Sequence, residues 1–215
     1  MPGFEGMLVR LRPVAEADHA LFPHWISFSE AGALAGAGGS DSMATDSWTT
    51  ELTSPNSHYV LIETHHGEKV GTVSWREKAH PHSFEMGGLV GATDLWDSGY
   101  GMEAALLVLD YLFEQANAHR VQLVAGLYNA RTVAFMVQDG VTVEGVLRDY
   151  LYLDGSYHDA LIGSILRDEY YAPYQGYTPV TRLLTADACA RARRMVAARL
   201  HSQGPGRLTR LLRRD

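Results

Sequence analysis

A single cysteine, Cys189, among 215 residues excludes an internal disulfide and a cysteine-built zinc site. No apolar run nears the roughly 18 residues that a membrane helix requires. The opening Met1-Pro2-Gly3-Phe4-Glu5 lacks both the basic stretch and the apolar core of a secretory signal. The expectation is a soluble, cytoplasmic chain without a membrane span. A dinucleotide fingerprint is missing too: after Gly36 and Gly38 the third glycine would stand at position 41, which is Asp, and no strand precedes the loop. Basic residues are scarce in the body. Residues 1–177 carry nine Lys and Arg against 23 Asp and Glu, a net of -14, whereas residues 178–215 carry nine Arg against Asp187 and Asp215, a net of +7. An acidic body draws cationic small molecules and repels nucleic acid, and a basic tail does the reverse.

Apolar residues at 46% and charged residues at 20% are ordinary globular proportions. Met7 to Pro13 alternates apolar and basic residues as a half-buried strand does. Residues 16–27 place Leu21, Phe22, Trp25 and Ile26 at helical spacing, with a kink or restart at Pro23. Residues 31–42 read as a flexible loop before a short helix holding Trp48 and Leu52. A β-meander follows: Tyr59–Thr64, a turn at His66–Lys69, Val70–Trp75, then Phe84–Val90. In the third strand, Gly87 and Gly88 signal a bulge or a close backbone approach. Met102, Ala105, Leu106, Leu109, Leu112, Phe113 and Ala116 form one apolar stripe of a long helix. Val121–Leu127 is a strand, Asn129–Asp139 a short helix, and Val141–Tyr152 and Ala160–Leu166 the closing strands. The pattern is an α/β domain with a mixed sheet.

Two segments carry chemistry. In Trp96-Asp-Ser-Gly99-Tyr-Gly101-Met-Glu-Ala104, two glycines open a helix whose first amides and dipole suit a pyrophosphate. In Asn129-Ala-Arg-Thr132, directly after a strand, Asn129 fits a helix N-cap and a ligand contact equally well. Other candidates are weaker. His65 and His66 lie some 30 Å from His80 and His82 along about ten strand residues, too far for a shared metal, so no metal is expected. Ser98 lacks the context of a hydrolase elbow because residue 96 is Trp. Tyr150, Tyr152 and Tyr157 suit strand packing better than base stacking.

Taken in order and spacing, the two segments resemble the GNAT N-acetyltransferases, specifically the RimJ/RimL-like branch. Leu8-Val-Arg-Leu-Arg-Pro13 and the run Gly145-Val-Leu-Arg-Asp-Tyr-Leu-Tyr-Leu-Asp-Gly-Ser-Tyr-His-Asp159 are similar to that branch as well, so the likeness covers about residues 7–170. It implies a GNAT fold, a mixed and mostly antiparallel sheet flanked by helices, occupying residues 1–177. It also implies acetyl-CoA or another acyl-CoA as cosubstrate and a primary amine as acceptor, the two meeting in a ternary complex where strand 84–90 splays from strand 121–127. The CoA-binding residues implied are Leu89, Val90, Trp96, Asp97, Ser98, Gly99, Tyr100, Gly101 and Met102, with Asn129, Arg131, Thr132 and Met136. Glu85 would take the amine proton through water, amides near Leu89 and Val90 would bind the oxyanion, and Thr132 and Asn129 would serve the departing thiol.

The chain departs from the pattern at Asp97-Ser98, where relatives carry Gly-Lys or Gly-Arg, and at Met136, where many carry a proton-donating tyrosine. These departures favour the alternative of a catalytically silent acyl-CoA-binding or protein-interaction domain. The acceptor stays open among protein N-termini, polyamines and amine-bearing antibiotics. Residues 178–215 read as a basic helical extension with Thr185 as N-cap and a narrow stripe of Cys189, Ala192, Met195, Val196 and Leu200. A second basic piece, 207–214, follows. The tail is expected to pack on its own or a partner subunit's acidic body, as in a homodimer, with RNA or an anionic lipid surface as the other reading.

Overall fold

A computed structural model describes residues 4–26, 29–35, 50–137, 140–172 and 185–201. The chain divides into two compact units, Met1–Thr181 and Arg182–Asp215. Among the described residues no helix is long and apolar enough to cross a membrane.

The first unit is built on one eight-stranded sheet. Its strands are β1 (Phe4–Glu5), β2 (Val9–Pro13), β3 (Ser57–Thr64), β4 (Lys69–Glu77), β5 (Ser83–Val90), β6 (Arg120–Gly126), β7 (Thr142–Leu153) and β8 (Ser156–Leu166). They lie in the order β1-β2-β3-β4-β5-β6-β8-β7. Every neighbouring pair is antiparallel except β5 and β6. The helices are α1 (Leu21–Ile26), α2 (Glu30–Leu34), α3 (Tyr100–Glu114), α4 (Ala130–Met136) and α5 (Arg167–Tyr171), with α6 (Ala186–His201) in the second unit.

Both faces of the central strands are buried, so β3 reads as a continuous apolar run. Val60 and Ile62 join the core under α3, while Leu61 packs on the other face with Phe22, Trp25 and Ile26 of α1. Pro23 is the third residue of α1, within the first turn, where no amide is needed for an intrahelical bond. Part of the loop expected at residues 31–42 is instead helical: α2 begins at an N-cap where Ser29 Oγ accepts from Gly32 N at 2.9 Å. Residues 50–52 are helical as expected, whereas Trp48 lies outside the described residues. The two glycines of β5 make no bulge, because the β4–β5 register runs unbroken from Gly71↔Val90 to Glu77↔Phe84. A Cβ on Gly88 would stand 2.9 Å from the Thr72 carbonyl oxygen, which is the close approach.

The stripe predicted for α3 is only partly its buried face. Leu109, Leu112 and Phe113 are buried, as are Ala104, Leu107 and Val108, but Met102 and Leu106 are 40% and 44% exposed. The C-terminal half of α3 is covered on a second side by Tyr170 of α5, which stacks on Phe113 with centroids 4.4 Å apart. Among the described residues no ring stacks on the N-terminal half in this way. Tyr150, Tyr152 and Tyr157 are likewise exposed rather than packed in the core. Tyr152 and Tyr157 pack on each other across the β7–β8 ladder, 5.1 Å between centroids.

Glu103 joins the first turn of α3 to the start of the chain. Its carboxylate accepts from the amides of Met7 (2.7 Å), Leu8 (2.7 Å) and Val9 (2.8 Å). A Cβ on Gly6 would lie 2.7 Å from that carboxyl group, so any side chain there would have to displace the end of Glu103. Hydrogen bonds to a charged acceptor are the stronger class, and two of these three are exposed, so Glu103→Ala is expected to cost about 2 kcal/mol in chemical unfolding. A change within the ~0.5 kcal/mol of an ordinary surface substitution would show that β2 docks without this clamp.

In the second unit, α6 starts where Thr185 Oγ1 accepts from Ala188 N at 3.1 Å. Asp187 stands in the first turn. Met195 and Val196 are exposed on it. Residues 207–214 lie outside the described residues.

Candidate active site

The site begins where two parallel strands part. β5 and β6 pair at Ser83↔Arg120, Phe84↔Val121 and Glu85↔Gln122 only. Beyond that point β5 is paired with β4 alone and β6 with β8 alone. Antiparallel ladders alternate the direction of their amides, and two bonds fix the parity here: Lys78 N to Ser83 O at 2.7 Å and Gly91 N to Val70 O at 2.8 Å. The amides of residues 85, 87 and 89 therefore turn toward β4, and those of Met86, Gly88 and Val90 face the split. This corrects the expectation for Leu89, whose amide is taken up by β4; Gly88 stands with Val90 in its place. The Val90 carbonyl, on the same open edge, accepts from Trp96 Nε1 at 2.7 Å.

The glycine segment closes the wide end of the split. Thr93–Ser98 forms a 3-10 turn, Gly99 takes φ 85°, and α3 starts at Tyr100. That left-handed conformation suits glycine and strains other residues. Ser98 Oγ donates to Leu95 O at 2.5 Å and accepts from Tyr100 N at 3.3 Å. A Cβ on Gly101 would lie 3.1 Å from Val90 Cγ2, so the helix start sits directly against the end of β5. The amides of Gly99, Gly101 and Met102 have no partner among the described residues, and together with the dipole of a 15-residue helix they form an anion-binding end.

The carboxylate of Asp97 does not spoil this end. Its side chain is 87% exposed and pairs with Arg131 Nε at 3.3 Å. The Arg131 guanidinium also lies 4.8 Å from the centre of the Trp96 ring. The unfavourable charge is thus turned to solvent and offset by a cation from α4.

Asn129 is buried and bonded through both ends of its amide. Its Oδ1 accepts from Thr132 N at 3.1 Å, capping α4, and its Nδ2 donates to Leu34 O at 2.9 Å. Tyr128 OH adds a 3.0 Å bond to Ala33 O. These two bonds satisfy carbonyls at the C-terminus of α2 that a helix leaves open, and they tether α2 to the end of β6. The hydroxyl of Thr132 has no partner among the described residues. Met136 is completely buried in the main core, which explains a methionine there: the position packs.

On the α1 side of the sheet, a cleft of about 260 Å³ opens beside the split, lined by Ser57, Tyr59, Arg76, Glu85, Gly87 and Val124 from the strands. Ala35, Glu51 and Tyr150 are also among its walls. The ladders align Ser57↔Arg76↔Glu85↔Gln122 in one row across four strands. Glu85 is the centre of that row. Its Oε1 pairs with Arg76 Nε (3.0 Å) and closely with Arg76 Nη2, and its Oε2 accepts from Lys78 Nζ (2.9 Å) and Gln122 Nε2 (3.1 Å). Burial acts to raise its pKa, but the bonds from Lys78 and Arg76 outweigh burial and hold it below the ordinary value of 4.5. Glu51, Tyr59, Arg76 and Lys78 were not singled out from the sequence. Alternation along β3 places Ser57 and Tyr59 on one face, which is a usable signal, while nothing in the local pattern marks Glu51.

The comparisons agree with this geometry. Residues 9–142 match the family model described as an acetyltransferase (GNAT) domain. The spermidine N(1)-acetyltransferase of Escherichia coli strain K12 is 28% identical over 122 residues, covering 57% of this chain and 64% of that enzyme. The match therefore spans less than two thirds of that relative's length. An uncharacterised N-acetyltransferase of Bacillus subtilis, YoaA, is 27% identical over 100 residues, 46% of this chain and 56% of that protein. Among solved structures, the spermidine N-acetyltransferase from Vibrio cholerae in complex with CoA and spermine superposes with a TM-score of 0.66 at 19% identity, over 75% of this chain and 97% of that one. At that identity the likeness speaks for the fold. The family match over most of the first unit and the open strand edge facing a glycine-led helix lead to one conclusion: the chain belongs to the GNAT acetyltransferases.

Proposed function

We propose that the protein transfers an acetyl group from acetyl-CoA to a primary amine by direct attack in a ternary complex. The observation that carries this reading is the succession of three features along one strand: the open edge of β5, the amide-rich start of α3 at its Val90 end, and a cleft with an ionised carboxylate, Glu85, on its floor. An extended chain bearing amides can pair along Met86, Gly88 and Val90 as a strand would, with a pyrophosphate at Gly99–Gly101. Trp96, Ser98, Tyr100 and Met102 surround that anion site and Arg131 stands beside it.

In this reading the amides of Gly88 and Val90 donate to the thioester oxygen as it gains negative charge. Glu85 draws the acceptor ammonium into the cleft and takes its proton through water, leaving a neutral amine to attack. As the tetrahedral intermediate collapses, the C–S bond breaks, the Thr132 hydroxyl donates a hydrogen bond to the departing thiolate, and the proton shed by the attacking nitrogen passes to that sulfur, so that the amide and CoA thiol leave. Asn129 positions Thr132 and α2. Much of the acceleration comes from holding amine and thioester in line. The RimJ/RimL-like assignment rests on the motifs at residues 8–13 and 145–159. Polyamines lead the acceptor candidates, supported by the relatives named for spermidine and by the acidic body.

Thiol release from acetyl-CoA, measured with a panel of polyamines, monoamines and peptide N-termini, tests the reading. Amine-dependent release supports it; CoA binding without release with any amine would favour the catalytically silent alternative. We also assign residues 178–215 to a separate extension outside the catalytic unit. Truncation after Tyr177 is expected to leave CoA affinity unchanged by calorimetry, and a loss of affinity would overturn that assignment.

A further inference from the structure

Two carboxylates line the cleft, and they differ in their company. Glu85 is paired with Arg76 and Lys78. Glu51 has no cation within ion-pair distance among the described residues, although it is held in place: its Oε1 accepts from Ser57 Oγ at 2.7 Å and from Tyr59 OH at 3.1 Å. Tyr59 is itself pinned, its ring edge-on to Phe22 with centroids 5.8 Å apart. Such a carboxylate is oriented by neutral donors, and among the described residues its Oε2 has no partner. The nearest wall cation, Arg76, gives both Nε and Nη2 to Glu85. The charge of Arg76 is felt by Glu51 as well, but the hydrogen bonds of Arg76 and Lys78 go to Glu85, so Glu51 is the lining carboxylate without a direct ion pair among the described residues.

We infer that Glu51 is a specificity-determining residue that binds a second ammonium group of the acceptor, remote from the nitrogen that reacts. The inference rests on the acetyl-transfer reading, which puts the reacting nitrogen beside Glu85 and Gly88. Ser57, which holds Glu51, stands two ladder steps from Glu85, or about 10 Å at the usual strand spacing. The substrate class is a linear diamine or polyamine long enough to bridge that distance. A monoamine leaves Glu51 without a partner, and a short diamine cannot reach it.

The test compares diaminooctane, diaminobutane and octylamine with the wild-type protein and Glu51→Gln, which keeps both hydroxyl contacts and removes the charge. A charged hydrogen bond in a partly buried site corresponds to a factor of about 10 to 100. Glu51→Gln is expected to lower kcat/KM for diaminooctane by that factor, mainly through KM, and to leave octylamine and diaminobutane unchanged. Calorimetry of the same amines with the CoA-loaded protein reads the preference without turnover. If no amine is acetylated yet the wild type binds diaminooctane preferentially and Glu51→Gln does not, the acetyl-transfer reading falls and the Glu51 subsite stands. Equal losses for all three amines, or no loss for diaminooctane in either assay, would overturn the subsite.

Discussion

Replacing Gly101 with Glu is expected to remove CoA binding while the fold survives. The position is confined, since even a Cβ would lie 3.1 Å from Val90 Cγ2, so a longer side chain must turn outward across the start of α3. There it covers the amides of Gly99, Gly101 and Met102 and sets a carboxylate against a diphosphate. Loss of an anion site at a helix N-terminus together with like-charge repulsion should weaken binding at least about 100-fold, or about 2.7 kcal/mol. Calorimetry measures it, and circular dichroism checks the fold. Gly101→Ala is the control: it adds the steric contact without the charge, and should weaken binding far less. Affinity unchanged in Gly101→Glu would move the pyrophosphate away from this helix.

That site could be read in the sequence because its requirements are local. A left-handed residue before a helix calls for glycine, and Gly99 and Gly101 announce the turn, the exposed amides and the dipole together. The meander was legible for a similar reason: β3, β4 and β5 are set by runs of apolar residues and by the turn at Gly67, whose φ is 86°. What could not be read depends on register and on distant cover. The parity of β5 decides whether Leu89 or Gly88 faces the split, and it is fixed by bonds at Lys78–Ser83 and Val70–Gly91, which no side-chain pattern encodes. Glu85 was visible as a charge in an apolar strand. Its partners were not, because pairing with Arg76 requires the β4–β5 register and pairing with Gln122 requires the single parallel step of the sheet. The exposure of Met102 and Leu106 was hidden in the same way: α3 is apolar around most of its surface, and cover such as that of Tyr170 on Phe113 comes from residues far along the chain.

The second large effect is expected at Glu85. Its carboxyl is held below 4.5, the net result of burial acting to raise it and the bonds from Lys78 and Arg76 acting more strongly to lower it. It is therefore ionised near neutrality, and it becomes mostly protonated only at a lower pH than an ordinary glutamate does. The acidic limb of the wild-type rate profile near neutrality should then report the ionisation of the amine, and a further fall owed to Glu85 should be centred at a lower pH than an ordinary glutamate would give. Glu85→Gln removes the group that receives the amine proton and leaves Arg76 and Lys78 without their counter-charge in a cleft that must admit a cation. The expected result is a fall in kcat of about 100-fold, the usual scale for loss of a proton acceptor, with CoA affinity unchanged because the helix start is untouched. KM for the amine should rise as well. The two effects separate the roles: a fall in kcat marks proton relay, and a rise in KM alone marks electrostatic capture of the ammonium. Lys78→Met gives the complementary measurement. It removes one of the two cations that depress Glu85, so the acidic limb owed to Glu85 should move toward higher pH. A limb that stays fixed in Lys78→Met, or a kcat in Glu85→Gln close to that of the parent, would take the proton relay away from this residue.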